Sequence, residues 1–253
     1  MKKSFLMFLG VLTVTWIVAF SMTGQEVINR MIKQNSDFKN QKIEMNMKIS
    51  NNGQVNSYNL FIYIYNNKSA NQKYALIRFV SPESIKGMSF LSLGSNDEYL
   101  YMPAYHRIER IAGSSKNSKF AGSNFTFNDL SLLYSQEQNA NYDLISQSST
   151  CYILEVTPKP NTDFEYSKLI MTIEISHMLP AKVEFYKGNS LYKTMICSDL
   201  TNFDGHWTYK KIDMKMANEN SKTTLEIEDI QSNIDIPESF FSIRTLFEPN
   251  LNY

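Results

Sequence analysis

The sequence predicts a mainly β fold with a few helices, built as an antiparallel meander. Three observations carry that expectation. Apolar residues recur at every second position in segment after segment, short turn sequences separate those segments, and one amphipathic helical stretch precedes them.

The helix comes first. From Gln25 to about Gln34, Val27, Ile28, Met31 and Ile32 fall on one face, with Glu26, Asn29, Arg30 and Lys33 on the other, so this face needs a sheet to pack against. Ile43, Met45, Met47 and Ile49 then alternate with Glu44, Asn46 and Lys48, and Asn51-Asn52-Gly53 can turn the chain into a second strand. In that second strand Leu60, Ile62 and Ile64 point one way and Phe61, Tyr63 and Tyr65 the other, so both faces need cover. Two readings fit: a strand sandwiched between core and a packed helix, or one face lining a cavity for an apolar ligand. Later segments keep the period of two: Leu169, Met171, Ile173 and Ile175; Ile212, Met214 and Met216; Leu225 and Ile227. Lys187-Gly188-Asn189 and Phe203-Asp204-Gly205 supply further turns.

Ahead of the helix, Lys2 and Lys3 are followed by an uncharged, mostly apolar run from Phe5 to Met22 that ends among small residues. This order predicts a cleaved secretory signal over residues 1–22, with an uncleaved anchor as the alternative. Residues 23–253 then form a single domain, since no Pro/Gly/Ser-rich linker, charge block or internal repeat divides them. The 25 basic and 25 acidic residues balance, which removes the electrostatic footprint of a nucleic-acid binder. Two cysteines cannot build a disulfide framework or a four-cysteine zinc site. Cys151 and Cys197 fall three strands apart in a simple meander, about 14 Å, too far to bridge, so both are expected free and buried.

The sequence carries no recognisable catalytic constellation. His106, His177 and His206 are the only histidines and none sits in an H-x-x-x-H or H-E-x-x-H pattern; no G-x-S-x-G elbow and no phosphate-binding loop occurs. A protein without catalytic residues, cofactor or metal is therefore expected. Methionine is placed on the apolar parity of the strands at Met45, Met47, Met171, Met214 and Met216, where it suits either an adaptable ligand wall or an irregular core.

The middle of the chain carries an ordered set of motifs: Ser81-Pro82-Glu83-Ser84-Ile85-Lys86-Gly87-Met88, Phe90-Leu91, Asp97-Glu98-Tyr99-Leu100-Tyr101-Met102-Pro103, Arg107-Ile108-Glu109-Arg110-Ile111, and Phe120-Ala121-Gly122-Ser123-Asn124-Phe125-Thr126-Phe127-Asn128-Asp129-Leu130. In this order they resemble the bacterial outer-membrane lipoprotein-sorting proteins, the LolA-like family, in the branch found beside RND-type exporters. Asn124 stands where an acid is common. The resemblance implies a strongly curved antiparallel sheet forming an unclosed barrel, covered by an N-terminal helix and lid elements, with an apolar concave side. It implies a periplasmic carrier of lipoprotein acyl chains or lipids, with a membrane partner such as an RND-type exporter; the alternative is an exporter-associated accessory or envelope sensor that carries no cargo. A monomer is expected.

Strand parity then nominates Met45, Met47, Leu60, Ile62, Phe90, Tyr101, Phe125, Phe127, Met171 and Met214 as cavity or lid residues. The Phe120–Leu130 segment reads either as a lid presenting Phe125 and Phe127 with Lys116 and Lys119 nearby, or as a turn whose two phenylalanines cap the core. Arg107 and Arg110 are candidates for an anion or partner contact, against the alternative of ordinary surface pairs.

Overall fold

A computed structural model describes residues 22–68, 72–94, 97–134, 140–160, 162–249 and 251. The signal expected over residues 1–22 lies, Met22 apart, outside the described residues. Helix α1 (Gly24–Gln34) is followed by β1 (Asn40–Asn51), β2 (Gln54–Asn67), β3 (Gln72–Ser81), β4 (Ser89–Ser92), β5 (Glu98–Met102) and β6 (Arg107–Ile111). Helix α2 (Phe127–Tyr134) precedes β7 (Ala140–Gln147), β8 (Cys151–Pro158), β9 (Lys168–Glu174), β10 (Leu179–Lys187), β11 (Ser190–Phe203), β12 (His206–Met216) and β13 (Ser221–Ser232).

These strands make one antiparallel sheet in the order β6-β5-β4-β3-β2-β1-β13-β12-β11-β10-β9-β8-β7. From β1 at the centre the strands meander to one edge at β6, resume at the opposite edge with β7, and meander back until β13 pairs with β1, with residues 112–134 lying between the two edges. The edge strands β6 and β7 do not pair, so the barrel is unclosed. The turns are those the sequence predicts: Asn52 and Gly53 (φ 48° and 85°) and Asp204 and Gly205 (φ 50° and 91°) occupy the left-handed region that a two-residue hairpin loop requires.

The crossover shows how strongly the sheet is curled. β4 and β11 are six strand spacings apart, about 29 Å in a flat sheet. Yet the Phe127 ring lies 5.3 Å from that of Phe90 on β4, while Asp129, two residues on, bonds Lys193 on β11. The sheet therefore wraps around the crossover.

Helix α1 covers the same concave side. Thr23 and Glu26 form a capping box, with Glu26 N–H donating to Thr23 Oγ1 (3.2 Å) and Thr23 N–H to Glu26 Oε2 (2.7 Å). Those bonds hold the Glu26 carboxyl below its usual range. Val27 and Ile28 are buried as the periodicity predicts. Gly24 lies against the β7 backbone, where an added Cβ would fall 2.3 Å from the Tyr142 carbonyl oxygen. Only glycine permits that approach.

The two apolar faces of β2 are both covered. Leu60 and Ile62 face the concave core. Tyr63, Phe61 and Tyr65 face a smaller convex cluster, capped by the C-terminal segment through Ile236, Phe240, Phe241 and Leu246, a segment that carries two short 3-10 helices rather than an α-helix. Tyr63 meets Phe240 edge-on with centroids 5.0 Å apart, and burial pushes its phenol up to about 12. The segment is pinned by Arg78 of β3, 3% exposed, whose guanidinium donates to the carbonyls of Thr245 (2.7 Å), Leu246 (3.2 Å) and Glu248 and to Ser89 Oγ (2.8 Å). The sheet edges carry features that discourage pairing: β6 reads Arg-Ile-Glu-Arg-Ile, and β7 is bulged between Leu144 and Ser146.

Replacing Arg78 with Ala removes charged donors from three carbonyls and should destabilise the fold by about 2–4 kcal/mol in urea melts. Hydrogen exchange should rise selectively over residues 236–248; unchanged protection there would contradict the pinning role.

Candidate functional site

The concave side gathers nearly all the residues that parity nominates. Met45, Met47, Leu60, Phe90, Phe125, Phe127, Met171 and Met214 belong to one buried apolar cluster, and Ile62 packs against it half-buried. Tyr101 does not join them. On β5 it pairs with Ile108 and Ser89, faces the convex side, and packs against Phe247 at 5.1 Å. Tyr99-Leu100-Tyr101 is apolar on both parities, so alternation could not choose its face. Arg107 and Arg110 do not form one site either. Three residues apart on a strand they project to opposite faces, Arg107 with Ile111 toward the concave side and Arg110 with Ile108 toward the convex one. Arg110 lies 4.0 Å from Asp97 as an exposed pair.

The crossover fills the concave side as a lid. Phe120, Phe125 and Phe127 are at most 4% exposed and pack on one another and on Phe79 and Phe90. Gly122, at φ 74°, makes the turn between them. In this conformation the phenylalanines cap the core, as one of the two readings has it, and the segment is a lid in the sense that it covers the concave side. Lys116 is not a docking lysine: it is 8% exposed and sits 3.7 Å from Glu98 of β5.

Polar anchors fasten this lid to the inner wall. Asn124 Nδ2 donates to Ser221 Oγ (3.0 Å), its Oδ1 accepts from Thr223 Oγ1 (2.9 Å), and its backbone N–H donates to Thr223 Oγ1 (2.9 Å), all on β13. Asp129 is the hub. Its carboxylate caps α2 by accepting from Thr126 N–H (2.6 Å), accepts from Tyr166 Oη (2.9 Å), and pairs with the Lys193 ammonium, both partners being 1% exposed. Lys193 also donates to the Asn124 carbonyl (3.1 Å). Burial pulls Lys193 below the ordinary lysine range, with the Asp129 carboxylate opposing that shift, and burial beside Asp129 keeps the Tyr166 phenol protonated.

Elsewhere the chemistry is sparse. Among the described residues no group of three or more His, Cys, Asp or Glu is placed to hold a metal ion. His177 Nδ1 lies 3.2 Å from Glu174 Oε2, and its ring packs on Trp207 with centroids 4.8 Å apart. Cys151 on β8 and Cys197 on β11 are free, separated by β9 and β10. Both are half-buried rather than buried as expected, because Cys151 opens its strand beside an exposed turn and Cys197 lies just beyond the stretch of β11 that β10 covers.

A chain with this curled sheet, crossover and convex strap can be compared with known proteins. A family model described as "-like: Uncharacterized protein" matches residues 71–248. The chain belongs to this family. Comparison with curated proteins returns no match. Among solved structures, a DUF1329 family protein from Desulfovibrio piger superposes with a TM-score of 0.80 at 24% identity, covering 88% of this chain and 97% of that one. A putative outer membrane lipoprotein-sorting protein domain from Vibrio parahaemolyticus gives 0.80 at 23%, covering 88% and 97%. A LolA superfamily protein from Nitrosomonas europaea gives 0.71 at 18%, covering 89% and 100%. The fold is therefore the LolA-like one that the sequence motifs resemble.

Sequence reading missed α2, Asp129, Lys193 and Asn124 as a unit. A signal was present: Thr126-Phe127-Asn128-Asp129 is a variant capping box, and it marks the helix start. Nothing local marks Lys193 as buried.

Two outcomes follow from the anchors. Lys193→Ala leaves the Asp129 charge buried without its cation and should cost about 3–5 kcal/mol, with the Asp129→Asn/Lys193→Met double variant costing less than the single one; chemical denaturation measures both, and an equal loss would show that charge is not the issue. Cys197, whose thiol burial pushes up to about 12, should be alkylated at pH 8 more slowly than Cys151, as read by peptide mass mapping.

Proposed function

We propose that the chain is a periplasmic carrier that shields lipoprotein acyl chains or lipids in its concave side and passes them toward the outer membrane. The observation that carries this reading is the apolar inner wall of the unclosed barrel, covered by helix α1 and a crossover segment rather than by a strand of the sheet. A lid of that kind can be displaced without breaking the sheet, and its departure exposes Met45, Met47, Leu60, Phe90, Met171 and Met214 to a ligand. Adaptable methionines suit chains of variable length.

Magnitudes favour reversible exchange. Exposing three phenylalanines costs about 5–9 kcal/mol and separating a buried ion pair about 3–5 more. Burying one acyl chain of about 16 methylenes returns about 13 kcal/mol. The two sides nearly cancel, as a carrier that must both load and release requires.

Export by a signal over residues 1–22, one carrier domain over residues 23–253, a monomeric state, a membrane partner of the RND-exporter kind and the absence of catalysis belong to the same proposal. The likeness to a putative lipoprotein-sorting domain supports it at the level of fold. A second reading, an accessory or sensor without cargo, is favoured by one observation. Past the strands that flank them, β11 and β12 continue as a two-stranded arm that exposes Leu200 and Trp207.

Uptake of the neutral fluorescent probe N-phenyl-1-naphthylamine separates the two. The carrier reading predicts binding by the wild type, at least a tenfold loss in Leu60→Asp with the fold verified by circular dichroism, and full binding in the surface control Val55→Asp. A wild type that takes up no probe would favour the accessory.

A further inference from the structure

The carrier reading leaves open what an amphiphile's polar end would meet. A groove of about 810 Å³ lies where α1 ends, lined by Arg30 and Lys33 of the helix, by Ser36 and Asp37 just after it and by Lys68 just beyond β2. That volume is ample for a small organic group. Three cations and one carboxylate line the groove, in a chain whose 25 basic and 25 acidic residues balance overall. Lys33 alone has an ordinary explanation, since it lies in the last turn of α1 where the helix dipole favours a cation. Lys68 has none of that kind, because it follows β2 and is not on the helix.

Two further features point to a ligand. Ser36 lines the groove, and its hydroxyl oxygen is buried with no hydrogen-bond partner, although the Ser36 carbonyl is engaged by Asn66 Nδ2 at 3.0 Å. A buried hydroxyl left unmatched is costly, and an incoming acceptor would relieve it. Ile32, the apolar member of the lining, also packs against the concave core. The groove and the apolar side thus share a wall, the arrangement an amphiphile needs if its tail is to lie under α1 and its head outside.

We propose that this groove binds a phosphate-bearing group, with Arg30, Lys33 and Lys68 as the counter-charges and Ser36 as a neutral donor. The guanidinium offers a planar fork to two phosphate oxygens and the two ammonium groups act as point charges. As the polar subsite of the proposed carrier it makes the cargo an anionic phospholipid or phosphorylated amphiphile; it rests on that reading only for the tail. A soluble phosphate compound carries the same head chemistry, and the experiment distinguishes the two.

Isothermal titration calorimetry of the full chain would compare dihexanoyl-phosphatidylglycerol, dihexanoylglycerol and sn-glycerol 3-phosphate, in the wild type and in Arg30→Gln/Lys33→Gln/Lys68→Gln. The expected result is at least tenfold tighter binding of the phosphatidylglycerol than of the neutral lipid, with that advantage gone in the triple variant and weakened by salt. Glycerol phosphate binding as tightly as the phosphatidylglycerol, and lost in the triple variant, would assign the groove to a soluble phosphate compound. Equal binding of charged and neutral lipids, or a triple variant that keeps the preference, would overturn the proposal. Uptake of N-phenyl-1-naphthylamine is the separate readout: the triple variant should retain it, and its absence from the wild type would defeat the carrier reading while leaving the phosphate site standing.

Discussion

The buried pairing of Asp129 with Lys193 is the interaction on which the rest of the arrangement depends. Placing two charges at 1% exposure in the apolar lap of a sheet is expensive unless each is fully matched. The matching is supplied by Tyr166, by the Thr126 amide and by the Asn124 carbonyl, so the crossover, the segment before β9 and β11 must be in place together. One partner belongs to the lid and the other to β11, so the pair ties lid closure to the curl of the sheet. A flatter sheet would leave both groups unpaired.

Topology explains why a lid exists at all. Every other link between consecutive strands joins neighbours in the sheet, whereas β6 and β7 occupy opposite edges and their link must cross a face. The C-terminal segment already occupies part of the convex face, held there by Arg78, which leaves the concave side to the crossover. The two sides are then unequal in kind. The convex strap is fixed by one arginine to three backbone carbonyls and by edge-on and tilted aromatic contacts, while the concave lid combines apolar side chains with a few polar anchors. Apolar contacts can be exchanged for a ligand's; backbone carbonyls bound to a buried guanidinium cannot.

Much of this was legible in the sequence, for identifiable reasons. Alternation located the strands because one face of each is wet, as for Ile43 to Ile49, and the left-handed turn residues at Asn52-Gly53 and Asp204-Gly205 fixed their hairpins. The helix from Gln25 to about Gln34 followed from its periodicity, although its cap at Thr23 did not. Parity failed where a strand is apolar on both faces, which put Tyr101 on the wrong side, and the spacing of Arg107 and Arg110 suggested a pair that strand geometry separates. The lid's anchors were hidden for a different reason: Lys193 and Asp129 lie 64 residues apart, and an isolated lysine in a strand reads as solvated until its partner is found. The order of motifs, by contrast, resembled a fold shared with solved structures less than 25% identical.

The central claim is that the concave side exchanges its lid for an apolar cargo. Native mass spectrometry of the protein purified from its own cells without detergent tests it most directly. A bound lipid or lipidated peptide that survives purification, released on unfolding and replaced when a competing lipid is added, is the result predicted. A protein that is bare after purification, and stays bare when incubated with lipids and lipidated peptides, would contradict it.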